Sequence, residues 1–117
     1  MKTILIVEDS ELNIDLLSQI LEESYKLVVA RDGLQGVRLT EEVKPDLVLM
    51  DISMPVMDGF EATHKIRERF KTLPIIGLSA NAMQGDCEKA IAAGCNDYLT
   101  KPVDEILLLK KLQEHLG

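Results

Sequence analysis

Leu47-Val48-Leu49-Met50-Asp51 is an unbroken apolar run that ends on a carboxylate. A strand that is apolar on both faces is covered on both sides, as in a parallel sheet held between two layers of helices. A carboxylate at the mouth of such a strand is costly to bury unless something pairs with it. Three other strand-like runs end on residues that can do this. Glu8 and Asp9 follow Ile4-Leu5-Ile6-Val7, Ser79 follows Ile75-Ile76-Gly77-Leu78, and Lys101 follows Asp97-Tyr98-Leu99-Thr100. Three acids, a hydroxyl and a lysine at strand ends suit a divalent metal and a phosphoryl group.

Outward from this run, short apolar segments alternate with longer amphipathic ones. Strands are predicted over 3–8, 26–30, 46–51, 75–79 and 96–100. Helices are predicted over 11–23, 33–43, from Asp58 onward, over about 84–93 and over 104–116, with Asp58 and Asp104 as caps. The inward stripes read as Leu12, Leu16, Leu17, Ile20 and Leu21 on the first helix, and Leu34 and Val37 on the second, with Leu39 a further candidate. Phe60, Ile66 and Phe70 are expected inward on the third helix, and Ile106, Leu109 and Leu112 on the last. Gly94 suits the turn that ends the fourth. Five strand–helix pairs in strict alternation make an α/β fold: a doubly wound, five-stranded parallel sheet with five helices and right-handed crossovers. In such sheets ligands bind beyond the carboxyl ends of the strands, where the strand order reverses.

The 117 residues read as one domain, with no linker, internal repeat or output domain, and a 46% hydrophobic content supplies its core. The net charge of −7 argues against direct grip on nucleic acid or an anionic membrane surface. Cys87 and Cys95 have neither metal-ligand spacing nor a disulfide framework and read as reduced thiols of a cytoplasmic protein. The opening Met1-Lys2-Thr3-Ile4-Leu5 leads straight into a strand and lacks the form of a signal peptide.

Mg²⁺ takes oxygen ligands in octahedral geometry, commonly one or two carboxylates with waters and phosphate oxygens. Asp9 and Asp51 can supply carboxylates, Glu8 can assist, and a backbone carbonyl after Asp51, with Ser53 as the candidate, can complete the set. An Asp carboxylate can attack phosphorus to give an aspartyl phosphate. Catalysis is then mostly positioning and charge neutralisation, to which Lys101, Ser79 and backbone N–H groups near Ala80 and Ile52 can contribute. Each residue alone has an ordinary explanation as a cap, a turn or a solvated side chain; their recurrence at the carboxyl ends of one sheet does not. No G-x-x-x-x-G-K-[ST] motif is present, and Glu8-Asp9-Ser10 is acidic where a dinucleotide site needs glycines. His64 and His115 lie on helices, away from the strand ends in sequence.

Across essentially its whole length the chain resembles the receiver domain of two-component response regulators. The motifs are Ile4-Leu5-Ile6-Val7-Glu8-Asp9, the stretch from Asp46 through Asp51, Pro55 and Asp58 to Gly59, then Leu78-Ser79-Ala80 and Tyr98-Leu99-Thr100-Lys101-Pro102. The resemblance implies a flavodoxin-like, CheY-like (βα)5 fold and a phosphorylatable switch rather than an enzyme. It implies that Asp51 accepts phosphate from a phosphohistidine of a histidine kinase or histidine phosphotransfer protein. Glu8, Asp9, Asp51 and the Ser53 carbonyl would hold Mg²⁺, for which Mn²⁺ can substitute; Lys101 would contact the phosphoryl group, and its bond to Pro102 would be cis. Ser79 would be the switch hydroxyl and Tyr98 the switch aromatic, reshaping a face of helix 4, strand 5 and helix 5 that binds a downstream protein. Phosphorylation-dependent homodimerisation is a further expectation with no particular residue behind it. The stretch Ala80-Asn81-Ala82-Met83-Gln84-Gly85-Asp86 resembles receivers of hybrid kinases and phosphorelays as well as stand-alone receivers; the start at Met1 favours a stand-alone regulator. The alternatives are an Mg²⁺-dependent phosphatase with Asp51 as nucleophile, which would want a general acid where Ser53 stands, and a receiver-like binding module that works without phosphate.

Overall fold

A computed structural model describes residues 1–52, 57–80 and 85–117. The strands are β1 (Thr3–Val7), β2 (Lys26–Ala30), β3 (Leu47–Asp51), β4 (Ile75–Ser79) and β5 (Asp97–Thr100). The helices are α1 (Glu11–Leu21), α2 (Gly33–Val43), α3 (Gly59–Arg69), α4 (Asp86–Ala93) and α5 (Glu105–Leu116). All strand pairs are parallel, in the order β2-β1-β3-β4-β5. The order reverses between β1 and β3, so Glu8 and Asp51 flank the switch point of the sheet.

Alternation along the strands feeds two cores. Leu5, Val7, Val48, Met50 and Ile75 face one layer, with Ala62 and Ile66 of α3 and Ala90 of α4. Ile4, Ile6, Leu47, Leu49, Ile76, Leu78 and Leu99 face the other, with Leu17 and Leu21 of α1 and Leu108 and Leu112 of α5. Period-two alternation with every position apolar is what both-face burial demands. Among the described residues no helix is long and apolar enough to cross a membrane.

Several inward stripes differ from expectation. α1 stops at Leu21 and buries Ile14, Leu17 and Leu21, while Leu12 and Leu16 are exposed. α5 buries Leu108 and Leu112 and leaves Ile106 and Leu109 exposed. Each helix carries more aliphatic residues than one face can bury, and contact with the sheet sets which phase wins. Leu34 is exposed because the buried face of α2 is made of Gly33, which packs on Met57, and of Gly36 and Thr40. A Cβ on Gly36 would lie 2.9 Å from Val7 Cγ2, so the glycine is what permits this approach. On α3, Ile66 is buried and Phe60 and Phe70 pack against the same core, as expected. Asp58 caps α3 by accepting the Glu61 N–H at 2.9 Å, and Asp104 caps α5 by accepting from Leu107 at 3.1 Å.

Candidate functional site

The first acid leaves β1 through a fixed backbone. The Glu8 N–H donates to the Ala30 carbonyl at 2.9 Å, and Oε1 accepts from the Ser10 N–H at 3.2 Å. Ser10 in turn caps α1, accepting from the Asn13 N–H. The Glu8 side chain is therefore held inward, fully buried, while Asp9 lies on the exposed rim. Asp51 closes β3 with 2% of its surface exposed. Gly59 presses against it from behind: a Cβ there would come within 2.3 Å of the Asp51 carbonyl oxygen. Carboxylate oxygens of Glu8, Asp9 and Asp51 lie within 4.8 Å of one another.

Lys101 answers these acids. Its backbone N–H donates to the Ser79 carbonyl at 2.8 Å, which pins the chain leaving β5, and the bond to Pro102 is cis as expected. The ammonium lies 2.9 Å from Glu8 Oε2 and 3.1 Å from Asp51 Oδ2. Burial pushes the Glu8 carboxyl up to about 7; Asp51 adds to the rise and Lys101 opposes it. Burial alone would lower the Lys101 ammonium, but Glu8 and Asp51 outweigh it and raise it instead. One cation thus pairs with two carboxylates of a cluster of three. Glu8 Oε2 is buried and makes no hydrogen bond of good geometry among the described residues; the ammonium meets it as an ion pair. Hard oxygen donors this close, with one buried oxygen short of hydrogen bonds, fit a small divalent cation such as Mg²⁺.

Ser79 is fully buried at the end of β4 and donates its hydroxyl to Asp86 Oδ2 at 3.0 Å, across to the first turn of α4. Tyr98 is 39% exposed and lines a cavity of about 410 Å³ with Cys87, Glu88, Ile91 and Ala92 of α4. Ser53 lies outside the described residues. The Ile52 N–H is not available to a ligand, because the β-ladder continues past Asp51 and it donates to the Leu78 carbonyl at 3.1 Å. The fold therefore gathers Glu8, Asp9, Asp51 and Lys101 into one cluster, sets Ser79 on the adjoining strand end and turns Tyr98 outward. Sequence reasoning assigned no part to Asp86; its place in the first turn of a helix beside a strand-end hydroxyl was the available signal.

The sequence model of the response regulator receiver domain matches residues 4–113. The chain belongs to that family. It is 37% identical to the polar-differentiation response regulator DivK of Brucella ovis over 99% of this chain and 97% of that one. The receiver domain of the sensor histidine kinase PA1611 of Pseudomonas aeruginosa superposes with a TM-score of 0.93 and 41% identity, covering 99% of this chain and 98% of that one. That crystal structure has a magnesium ion coordinated in its active-site cleft. The Saccharomyces cerevisiae receiver Ssk1, solved in complex with the histidine phosphotransfer protein Ypd1, gives a TM-score of 0.90 and 35% identity over 97% of this chain and 88% of that one. This receiver is thus a phosphorylatable switch of two-component signal transduction, with the CheY-like fold of its relatives.

Proposed function

We propose that Asp51 is the phosphoryl acceptor of this receiver and that a phosphohistidine on a histidine kinase or phosphotransfer protein is the donor. The observation that carries this is the Asp51 carboxylate at the switch point, almost fully buried, 3.1 Å from the Lys101 ammonium and clustered with two further acids. A carboxylate oxygen attacks phosphorus and the P–N bond to the donor imidazole breaks. Its electron pair returns to the ring nitrogen, which takes up a proton, and an acyl phosphate stands on Asp51. Lys101 pairs with the charge on the phosphoryl oxygens. Glu8, Asp9 and Asp51 would hold Mg²⁺, and Mn²⁺ shares the same ligand preference. When bound, the metal neutralises phosphoryl oxygens and relieves repulsion among the acids. The magnesium-bearing kinase receiver and the Ypd1–Ssk1 complex support the metal and the donor class respectively.

Readout runs through the face built from α4, β5 and α5. Ser79 turns to the phosphoryl group, Tyr98 leaves its outward position for the space behind, and the cavity beside α4 changes shape for a downstream protein. This is a population shift between two arrangements, and the phosphoryl group need favour one by only a few kcal/mol. The test is labelling with acetyl phosphate in Mg²⁺, read by intact-protein and peptide mass spectrometry. Wild type should carry one phosphoryl group on the peptide containing Asp51, and Asp51→Asn should carry none. An unlabelled wild type, or an Asp51→Asn protein labelled as well as wild type, overturns the assignment.

A further inference from the structure

Ser79 donates its hydroxyl to the carboxylate of Asp86, and Asp86 opens the helix that forms one wall of the Tyr98 cavity. We infer that Asp86 is a positioning residue of the switch: an internal acceptor that competes with the phosphoryl group for the Ser79 proton and so holds α4 in its resting place. The inference deepens the reading of Asp51 as phosphoryl acceptor and rests on it.

A serine hydroxyl has one proton to give, and a carboxylate can only accept. In this arrangement the hydroxyl donates it to Asp86 Oδ2, 3.0 Å from Oγ. Both ends of the bond are constrained. Ser79 is fully buried, and its backbone carbonyl is fixed by the Lys101 N–H at 2.8 Å. Asp86 follows Gly85, whose positive φ of 78° gives α4 a start with no side-chain cap. A first-turn aspartate commonly supports its own helix; this one reaches across to the sheet instead. By register Asp51 pairs with Leu78, so Ser79 sits one residue beyond the acceptor's own partner on the adjoining strand. Strand alternation, with Leu78 in the layer of α1 and α5, turns Ser79 toward the layer of α4.

A phosphoryl group on Asp51 brings anionic oxygens that accept hydrogen bonds at least as well as a carboxylate. Ser79 cannot donate to both. When its hydroxyl donates to the phosphoryl group instead, Asp86 loses its donor and faces a new anion, so the start of α4 is both released and repelled. Cys87 and Glu88, the next two residues, line the cavity with Tyr98. The bond exchange at Ser79 therefore reaches the readout face through consecutive residues of one helix. Asp86 raises the threshold for activation: the stronger its hold on Ser79, the more phosphoryl affinity is needed to turn the switch.

The test is a titration of the intact chain with beryllium fluoride in Mg²⁺, followed by NMR at the α4 amides and the Tyr98 ring. Asp86→Ala should reach half-saturation at about tenfold lower beryllium fluoride than wild type, the size expected for losing a competing hydrogen bond to a charged group. Asp86→Asn, which keeps an acceptor but not the charge, should fall between them. In a Ser79→Ala background the Asp86→Ala change should have no further effect. An equal gain in that background shows that only the charge of Asp86 matters and overturns the inference. So does an unchanged midpoint in Asp86→Ala with α4 amides as protected as in wild type. If Asp86→Ala loses α4, Asp86→Asn carries the test, and an unshifted midpoint there overturns it. Failure of wild type to take up beryllium fluoride is a different result, which removes the reading of Asp51 itself and this inference with it.

Discussion

The two edges of the sheet use the same polar residue types to opposite ends. At the carboxyl ends of the strands, Glu8, Asp9 and Asp51 crowd one lysine, and burial pushes Glu8 up to about 7. At the amino ends Asp46, Asn96 and Asp97 each have a partner. Asp46 accepts the Thr3 N–H at 2.7 Å, Asn96 Oδ1 accepts from the Ile75 N–H and from Arg67, and Asp97 is paired with Lys111 at 2.8 Å and His115 at 3.4 Å. Burial alone would raise the Asp97 carboxyl, but Lys111, the Tyr98 N–H and His115 outweigh it and hold it low. One edge satisfies its polar groups and locks the fold. The other leaves them in conflict, which a divalent metal can then relieve. Such conflict between local stability and the rest of the fold is expected where function lies.

The largest test of this contrast is Arg67 at the satisfied edge. Its guanidinium donates to the Gly94 carbonyl at 2.8 Å, the Phe70 carbonyl at 2.7 Å and Asn96 Oδ1 at 2.6 Å. It thereby ties the end of α3 to the turn after α4, where Gly94 takes a φ of 121°. Arg67→Ala should lower stability by about 2–4 kcal/mol in urea unfolding, because carbonyls that lose a charged donor are left poorly satisfied. Arg67→Lys should recover little, since an ammonium cannot reproduce the planar fork. Where the variant remains folded, Asp51 should label as in wild type.

At the conflicted edge the sign should invert. Glu8→Gln should raise stability in Mg²⁺-free buffer by about 1–3 kcal/mol at pH 8, the scale of the raised carboxyl. An acid whose folded pKa is raised adds stability below its unfolded pKa and loses it as pH rises through the folded one, here about 7. The advantage of the variant should therefore be largest above pH 7 and vanish below about pH 4. Excess Mg²⁺ should close the gap by stabilising wild type more than the variant. A Glu8→Gln protein less stable than wild type at pH 8 without metal would erase the distinction between the two edges.

How much of this was legible in the sequence follows the same division. The strands and the cluster of Glu8, Asp9, Asp51 and Lys101 could be read because each strand is short, apolar and ends on a polar residue, so chemistry and topology coincide at one position. The helix faces were read less well. Leu12 and Leu16 on α1, and Ile106 and Leu109 on α5, fit an apolar stripe by spacing, but the buried stripe is chosen by contact with the sheet. Leu34 fits a stripe by spacing too, but small residues, Gly33, Gly36 and Thr40, form the buried face of α2. Arg67 gave no signal, since its partners are backbone carbonyls and the side chain of Asn96, 29 residues away. The Ser79–Asp86 bond likewise depends on how α4 is set against the sheet.

The smallest effect belongs to Asp97, and it separates the two edges by pH alone. Its carboxyl is held below the usual range, so its contribution is present above the unfolded pKa of about 3.9 and is lost as pH falls through the folded value. Asp97→Asn should therefore cost about 0.5–1.5 kcal/mol at pH 7, a range set by a partly exposed pair with Lys111. The cost should fade as pH drops below about 4, the reverse of the Glu8→Gln profile, whose difference grows toward alkaline pH. Urea unfolding of both variants from pH 3 to pH 8 gives the two curves on one axis. Lys111→Met should reproduce the Asp97→Asn curve, because each removes one half of the same pair, and the double variant should lose less than the sum. A cost in Asp97→Asn that stays constant across this range assigns the effect to packing and not to charge. The amino edge would then be held by shape, and the contrast between the edges would rest on Glu8 alone.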